Sequence, residues 1–266
     1  MFVIEPFLLP EMTEPQLILE KLSIPAKTAS SSRPRLLSLL ENSLSTCTST
    51  ILSARAGAGK TTLAVDFAQR CGRSVAWYKV DAPDGDLSVF FEYLSASIKK
   101  SRPAFSGASL ARYFSSGNDD RATAIAEGFL YALGESAGEP LLIVIEDLHL
   151  VCDSSWLMPF LKRLLPLLPP DVHLVITSRT VPPAPLWRMR SKQTLAVIDE
   201  ESLKFNRQEA IELFEKYGLS REQAFIAFDH THGRAAALAS VATTLHLSER
   251  RAAELITESA ITTTQG

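Results

Sequence analysis

One stretch constrains the fold of this chain more than any other. Residues 52–63, Leu-Ser-Ala-Arg-Ala-Gly-Ala-Gly-Lys-Thr-Thr-Leu, place a glycine-rich loop between an apolar strand and a helix-forming segment. Gly57 and Gly59 lack the Cβ atoms that would stop backbone N–H groups from turning inward on an anion. Lys60 can reach the terminal phosphates of a nucleotide, and the Thr61 hydroxyl suits the Mg²⁺ ion that accompanies them. The stretch therefore predicts a phosphate-binding loop for a nucleoside triphosphate, with a helix N-terminus pointing at the phosphates.

The loop meets the pattern G-x-x-x-x-G-K-[ST] except at its first position, where Ala54 replaces glycine. Alanine fits a tight strand-to-loop transition if its φ is negative, so this departure is tolerable. The alternative is a chance glycine-rich turn before a surface helix. Gly-Lys-Thr at the junction of an apolar strand and a helix favours the phosphate loop. We expect nucleotide contacts from Ala56, Gly57, Ala58, Gly59, Lys60, Thr61 and Thr62.

A second motif, residues 141–149, is an apolar strand that runs into two acids, Glu146 and Asp147. Burial of the strand would fix the carboxylates, and open α/β sheets bind ligands at the carboxyl ends of their strands. Glu146 would orient the metal and its water shell, together with Thr61, and Asp147 would polarise the attacking water. The alternative is a solvated loop start, which the presence of a phosphate loop in the same chain disfavours.

Three arginines are further candidates. Arg179 ends a buried strand, residues 172–179, and could sense a γ-phosphate from beside the acidic strand; the alternative is a surface arginine. Arg33 and Arg35 stand just before the phosphate loop in sequence. Either both are solvated, or one of them reaches the nucleotide.

Strands alternate with helical segments over the first 200 residues, which predicts an α/β fold with a mainly parallel sheet flanked by helices. Residues 99–120 contain prolines and glycines and predict an irregular excursion, and the prolines of residues 181–185 predict a break. Further strands are expected at 74–81 and 193–198, and helices at 33–41, 87–98, 122–133 and 153–168.

After residue 200 the pattern changes to short amphipathic helices, which predicts a small C-terminal helical module. Asn206 and Glu209 resemble a capping box at the first of these helices. Later helices are expected to begin at Ser220 and to cover 234–245 and 248–256. The predicted division is an N-terminal arm with little core (1–32), a P-loop nucleotide-binding domain (33–200), the helical module (201–260) and a disordered tail (261–266).

Charge and composition narrow the classes of function. The 27 Lys+Arg and 30 Asp+Glu residues give a net charge of −3, so nothing favours binding to nucleic acid or to an anionic membrane. No apolar run approaches the ~18 residues of a membrane span. Three cysteines without metal-ligand spacing predict reduced thiols. We expect a cytoplasmic protein that binds no membrane and, through this chain alone, no DNA.

Several segments together resemble the nucleotide-binding core of the signal transduction ATPases with numerous domains (STAND), and in particular that of the large ATP-binding LuxR-type transcriptional regulators. The likeness covers most of the chain, from about residue 22 to 245. It rests on residues 21–25 with 33–37, the phosphate loop at 53–63, the strand and turn at 77–84, the acidic strand at 141–150, the strand at 174–179 and the start of the helical module at 203–214. The resemblance implies a P-loop fold, ATP/ADP and Mg²⁺ as ligands, and regulation through protein contacts.

Two motifs depart from that family. Glu146 stands where aspartate is usual, and residues 233–238 read Gly-Arg-Ala-Ala-Ala-Leu where a Gly-x-Pro-like or a Gly-Trp-x-x-x-Leu motif is usual. The family also continues into a winged-helix domain, a repeat-rich sensor and a DNA-binding helix-turn-helix, which this sequence does not reach. It is either a stand-alone core or a fragment of a longer reading frame.

Two main hypotheses follow. The first is an ATP/ADP-binding regulatory switch with slow ATP hydrolysis, in which Lys60, Asp147 and Arg179 act in catalysis and the partner is another protein or a second copy of the chain. The second is a nucleotide-dependent interaction module that binds ATP or ADP without significant hydrolysis. A metabolic kinase is a weaker third reading, since no motif for a phosphate-accepting substrate is recognisable.

Overall fold

The computed structural model describes residues 17–26, 32–107, 121–181, 183–190 and 194–264, with side chains described as far as Arg251. Its centre is a five-stranded parallel sheet in the order β2-β3-β4-β1-β5. The strands are β1 (Ser49–Ser53), β2 (Ser74–Lys79), β3 (Leu141–Glu146), β4 (Val172–Ser178) and β5 (Leu195–Ile198). The predicted α/β fold with a parallel sheet is confirmed.

Helices cover both faces of this sheet. The helices of the described part of the chain, those of the helical module included, are α1 (Pro34–Thr46), α2 (Lys60–Arg70), α3 (Leu87–Ser101), α4 (Arg121–Glu135), α5 (Leu157–Leu164), α6 (Ala184–Arg190), α7 (Glu200–Leu203), α8 (Arg207–Lys216), α9 (Arg221–Thr231) and α10 (Ala235–Thr264).

Alternating strand residues feed two separate cores, because successive side chains of a strand point to opposite faces. Leu52, Val144 and Val175 pack with α1 and α2 on one face. Their neighbours Ile51 and Ile176 belong to the core on the other face, which contains the aromatic side chains of α3, α4 and α5. Both faces are therefore apolar, which explains why the strands read as continuous hydrophobic runs.

The register brings three strand ends to one edge. Ser53 of β1 pairs with Ser178 of β4, and Ile145 of β3 pairs with Ile176 of the same strand. The phosphate loop, the acids after β3 and Arg179 after β4 consequently leave the sheet side by side.

The helical module has its own small core around Phe205, Phe214 and Leu238. Side-chain caps start two of its helices: Asn206 with Glu209 forms a capping box before α8, and Ser220 with Gln223 forms one before α9. Both predicted helix starts are confirmed.

One helix, α10, replaces the two that were predicted at 234–245 and 248–256. Ser248 does not interrupt it, because its Oγ donates to the carbonyl of Thr244 one turn earlier and so keeps its hydrogen bond within the helix. The backbone remains helical through Thr264, which differs from the disordered tail expected from residue 261.

Other sequence predictions need correction. The helix expected at 153–168 is shorter, Leu157–Leu164, and follows a 3-10 turn at Leu148–Val151. The prolines near residue 184 precede a short helix, α6, that was not predicted; proline is tolerated in a first helical turn. The excursion at 99–120 begins later, since α3 runs to Ser101, and its residues 108–120 lie outside the described part.

The described part of the N-terminal arm, residues 17–26, packs against the P-loop domain. Leu22 is buried in the core beneath α3. Lys21 is also buried, and its Nζ lies 2.6 Å from both carboxylate oxygens of Asp84 and 4.2 Å from the centre of the Tyr93 ring. Among the described residues, no helix is long and apolar enough to cross a membrane.

Candidate functional site

The loop after β1 has the backbone that its glycines predict. Gly57 and Gly59 adopt φ values of +77° and +87°, in the left-handed region that side chains with a Cβ disfavour. Gly59 is also the residue from which α2 begins at Lys60. The N-terminal N–H groups of α2 and the partial positive charge of the helix end therefore face the loop, as an anion site requires.

Lys60 is buried although it carries a charge. Its Nζ donates to the carbonyls of Ala54, at 2.5 Å, and Arg55, at 3.0 Å, so the side chain lies along the loop. Burial lowers the pKa of Lys60; the charges of Asp147, Glu200 and Glu146 oppose that shift, and Arg179 adds to it. The Lys60 ammonium is thus close enough for the charges of Glu146, Asp147 and Arg179 to act on it.

Thr61 and Glu146 meet across the site, although 85 positions separate them in sequence. The Thr61 Oγ1 donates to Oε1 of Glu146 at 2.5 Å. Glu146 is 4% exposed, and its Oε2 is buried without a hydrogen-bond partner among the described residues. An unpartnered carboxylate oxygen next to the loop hydroxyl is a donor set that suits Mg²⁺, which binds one or two protein oxygens and otherwise phosphate and water.

Asp147 is held in an unusual conformation. Its φ and ψ are +59° and +37°, a left-handed backbone that is uncommon outside glycine and strained. The Asp147 N–H donates to the Oγ1 of Thr177, a fully buried residue of β4, at 2.9 Å. Thr177 was not identified from the sequence, where a threonine near the end of an apolar strand gives no distinct signal.

His149 completes the acidic turn. Its Nδ1 lies 3.7 Å from Oδ1 of Asp147. Burial lowers the pKa of the imidazole; the Asp147 carboxylate opposes this, while Arg179 and Lys60 add to it. Arg179, the exposed residue after β4, is close enough for its charge to act on both Lys60 and His149. The structure thus brings Lys60, Glu146, Asp147 and Arg179 together at one edge of the sheet.

Arg33 and Arg35 lie at the junction with the helical module. Arg33 donates to the carbonyls of Leu203 and Lys204 and to Oε2 of Glu209, and Arg35 donates to Glu209 as well. Burial works against ionisation of Glu209, but the hydrogen bonds from the two arginines outweigh it and lower the pKa of the carboxyl. These bonds hold both guanidinium groups at the junction with the helical module, and the expectation that one of the two arginines reaches the nucleotide stays a prediction.

The helical module contacts the phosphate loop directly. The N–H of Ala236, in the first turn of α10, donates to the Gly57 carbonyl at 2.9 Å. A Cβ on Gly57 would lie only 2.8 Å from the Cβ of Ala236. Beside this contact is a cavity of about 370 Å³, lined by loop residues 55–58, by Glu200, Leu203 and Lys204, and by residues 234–237. Sequence reasoning missed this junction, since about 180 residues separate its two sides.

The sequence of this chain was compared with those of known proteins. No protein-family model matches the chain. The HTH-type transcriptional regulator MalT of Vibrio cholerae is 30% identical over 187 residues, covering 68% of this chain and 20% of the regulator. The serine/threonine-protein kinase PknK of Mycobacterium tuberculosis is 30% identical over 201 residues, covering 73% of this chain and 18% of the kinase. The chain therefore spans about a fifth of the length of these relatives.

One solved structure supports the fold assignment. A signal transduction ATPase with numerous domains (STAND) protein with a tetratricopeptide repeat sensor, from Pyrococcus horikoshii, matches 80% of this chain and 30% of its own, with a TM-score of 0.57 at 19% identity. The chain has the P-loop fold of STAND ATPases, and its homologues are MalT-like LuxR-type regulators and PknK.

Proposed function

We propose that this chain is an ATP/ADP-binding regulatory module that hydrolyses ATP slowly and acts through protein contacts. The observation that carries the proposal is the approach of Thr61 to Glu146, which joins the phosphate loop to the acidic strand. A chance glycine-rich turn has no reason to lie against a buried carboxylate with a free oxygen. A metal–nucleotide site needs that arrangement.

Each residue then has a distinct role. The loop backbone from residue 56 to 62 and the Lys60 ammonium bind the phosphates, and Thr61 and Glu146 would hold Mg²⁺. When bound, the metal offsets charge on the phosphate oxygens. Asp147 accepts a hydrogen bond from the attacking water and orients it towards the γ-phosphate. Arg179 lies beside these groups and contacts the γ-phosphate oxygens.

A second candidate function is binding without significant hydrolysis. Glu146, longer than the aspartate usual in the resembling regulators, already accepts a hydrogen bond from Thr61. A carboxylate engaged in this way would hold the metal less firmly and so reduce catalysis more than nucleotide affinity. Steady-state release of phosphate from ATP separates the two candidates, since only the first predicts Asp147-dependent turnover.

Calorimetric titration with magnesium-ATP tests nucleotide binding itself. Lys60→Ala removes the ammonium of the loop, so affinity should fall at least ~10-fold, about 1.4 kcal/mol. Lys99→Ala, an exposed lysine at the end of α3, is the matched control and should bind as the wild type does. Unchanged affinity in Lys60→Ala would overturn the assignment of the phosphate loop.

We further propose a cytoplasmic location and a protein partner or nucleotide-dependent self-association. Direct DNA binding by this chain alone is not expected, because its 27 basic and 30 acidic residues are spread along the sequence and affinity for a duplex depends on phosphate neutralisation. A gel-shift titration is the test. A competitor-resistant complex below about 1 µM would contradict the expectation, since non-specific binding is typically ~1–100 µM.

A further inference from the structure

Arg234 occupies a particular place at the junction of the loop and the helical module. It immediately precedes α10, two residues before Ala236, whose N–H is bonded to the Gly57 carbonyl. Its exposed side chain lines the cavity whose opposite wall is the loop backbone at 55–58. This is also the position at which the sequence departs from Gly-Trp-x-x-x-Leu.

The other charged residues of the cavity wall are already paired. Arg55 binds Glu200 through its side chain, at 2.8 Å from Nη2 to Oε1, and its backbone N–H donates to the same carboxylate. That hydrogen bonding holds the pKa of Glu200 at about 2, with a smaller contribution from the charge of Arg234. Lys204 pairs with Glu201 at 2.6 Å.

Arg234 differs from these residues. Among the described residues, its guanidinium makes no hydrogen bond or ion pair within contact distance, and its charge acts on Glu200 only at longer range. The cavity therefore contains a guanidinium with five available donors opposite a loop whose backbone is shaped to bind an anion. No aromatic side chain lines the cavity among the described residues.

We propose that Arg234 binds the phosphate chain of ATP and makes the helical module sensitive to the γ-phosphate. This inference rests on the proposed nucleotide binding. Guanidinium groups bind phosphate oxygens through two parallel hydrogen bonds, which suits a ligand at the border of loop and cavity. Since Arg234 is joined to the first turn of α10, a bond to the terminal phosphate also ties that helix to the loop when ATP, rather than ADP, is bound.

The test compares ATP and ADP in Arg234→Ala, Arg234→Lys and the wild type, using calorimetry on the full chain with Mg²⁺. Arg207→Ala is the matched control: Arg207 is an exposed arginine of the same module, paired with Asp229. We expect Arg234→Ala to weaken ATP binding about tenfold and ADP binding less than about threefold. Arg234→Lys should retain part of the preference because it keeps the charge. Inorganic tripolyphosphate should follow ATP.

Three outcomes would count against the inference. Equal losses for ATP and ADP in Arg234→Ala, with tripolyphosphate binding unchanged, would mean that the residue contacts the base or ribose. Equal losses for all three ligands with a lowered melting temperature would mean that it acts only through the fold. Unchanged affinities would mean that it is a surface arginine that balances Glu200. A wild type that binds neither nucleotide would instead overturn the proposed function itself.

Discussion

The two ends of strand β4 each contain a buried polar residue, but the surroundings of these two residues differ. At the N-terminal end His173 is buried, and its Nε2 lies 2.9 Å from the Oγ1 of Thr50, which lies 2.5 Å from the Oγ of Ser43. Four residues further along, Thr177 supports the strained Asp147 peptide. In the sequence, His173 and Thr177 both interrupt an apolar run with a polar residue. Only Thr177 lies at the edge of the sheet that carries the phosphate loop.

The difference between the two ends is that the hydrogen-bonded network of His173, Thr50 and Ser43 is uncharged, whereas the opposite end carries a cluster of four charged side chains. Burial and the nearby Arg73 lower the pKa of His173 to about 4, so its network is neutral and stabilises the fold through hydrogen bonds alone. The other end collects Lys60, Glu146, Asp147 and Arg179 within electrostatic range of one another. Charges are costly to bury, so gathering them at one edge is consistent with a ligand that binds there.

The largest expected effect comes from removing a carboxylate at the charged end. Asp147→Asn keeps the shape but loses the charge that orients water, so turnover of ATP should fall about 100-fold while nucleotide binding survives. Asp171→Asn is the control at the other end, where Asp171 pairs with Arg102. It should alter stability and leave turnover unchanged. If Asp147→Asn and the wild type hydrolysed ATP at the same rate, the role of orienting the attacking water would have to be assigned to Glu146 instead.

Two glycines with positive φ sharpen the comparison. Gly57 has φ +77° and faces the Cβ of Ala236, whereas Gly72, with φ +66° at the opposite end of the sheet, has nothing within 4 Å of an added Cβ. Gly72→Ala should cost about 1 kcal/mol of unfolding free energy, the strain alone, and leave ATP binding intact. Gly57→Ala should cost about 2 kcal/mol and also weaken ATP binding. Equal costs in urea titrations would show that the contact with α10 adds nothing.

A smaller effect is expected from Thr177. Thr177→Val removes the acceptor of the Asp147 N–H without a change in volume, so turnover should fall roughly fivefold, about 1 kcal/mol, at nearly constant ATP affinity. Thr177→Ser should restore it. Thr50→Val, the matched change at the neutral end, should reduce stability only. If serine and valine behaved alike, the hydroxyl would have no part in positioning Asp147.

An effect of similar size, seen in stability alone, is a pH dependence at the neutral end. The pKa of His173 is lowered in the folded protein, so the unfolded chain takes up a proton first, and stability is lost as the pH falls from about 6.5 towards about 4. Between pH 7 and 5.5 the loss should be roughly 1 kcal/mol. His173→Gln, which does not titrate, should lack that part of the decline. Parallel stability–pH curves for the two proteins would exclude His173 as its source.

Features that depend on residues close together in the chain could be predicted from the sequence. The glycines of the loop, the apolar strand before Glu146 and the Asn206 capping box each depend on residues close together in the chain, so pattern alone identifies them. The α/β class follows equally from alternating strands and helices. Helix ends were less predictable, as α10 shows, because a serine can begin a new helix or stay inside one, where its hydroxyl donates to a carbonyl one turn earlier.

What the sequence by itself determined was which groups could bind a nucleotide and that a parallel sheet would carry them. Only the tertiary structure decided how they are used. Arg33 and Arg35 resemble phosphate-binding residues in sequence, but Glu209, more than 170 residues away, engages both of them. The register of β4 against its neighbours places Thr177 beside Asp147. The contact of α10 with Gly57 places Arg234 beside the phosphate loop. Such pairings depend on distances in the folded chain that no local pattern contains.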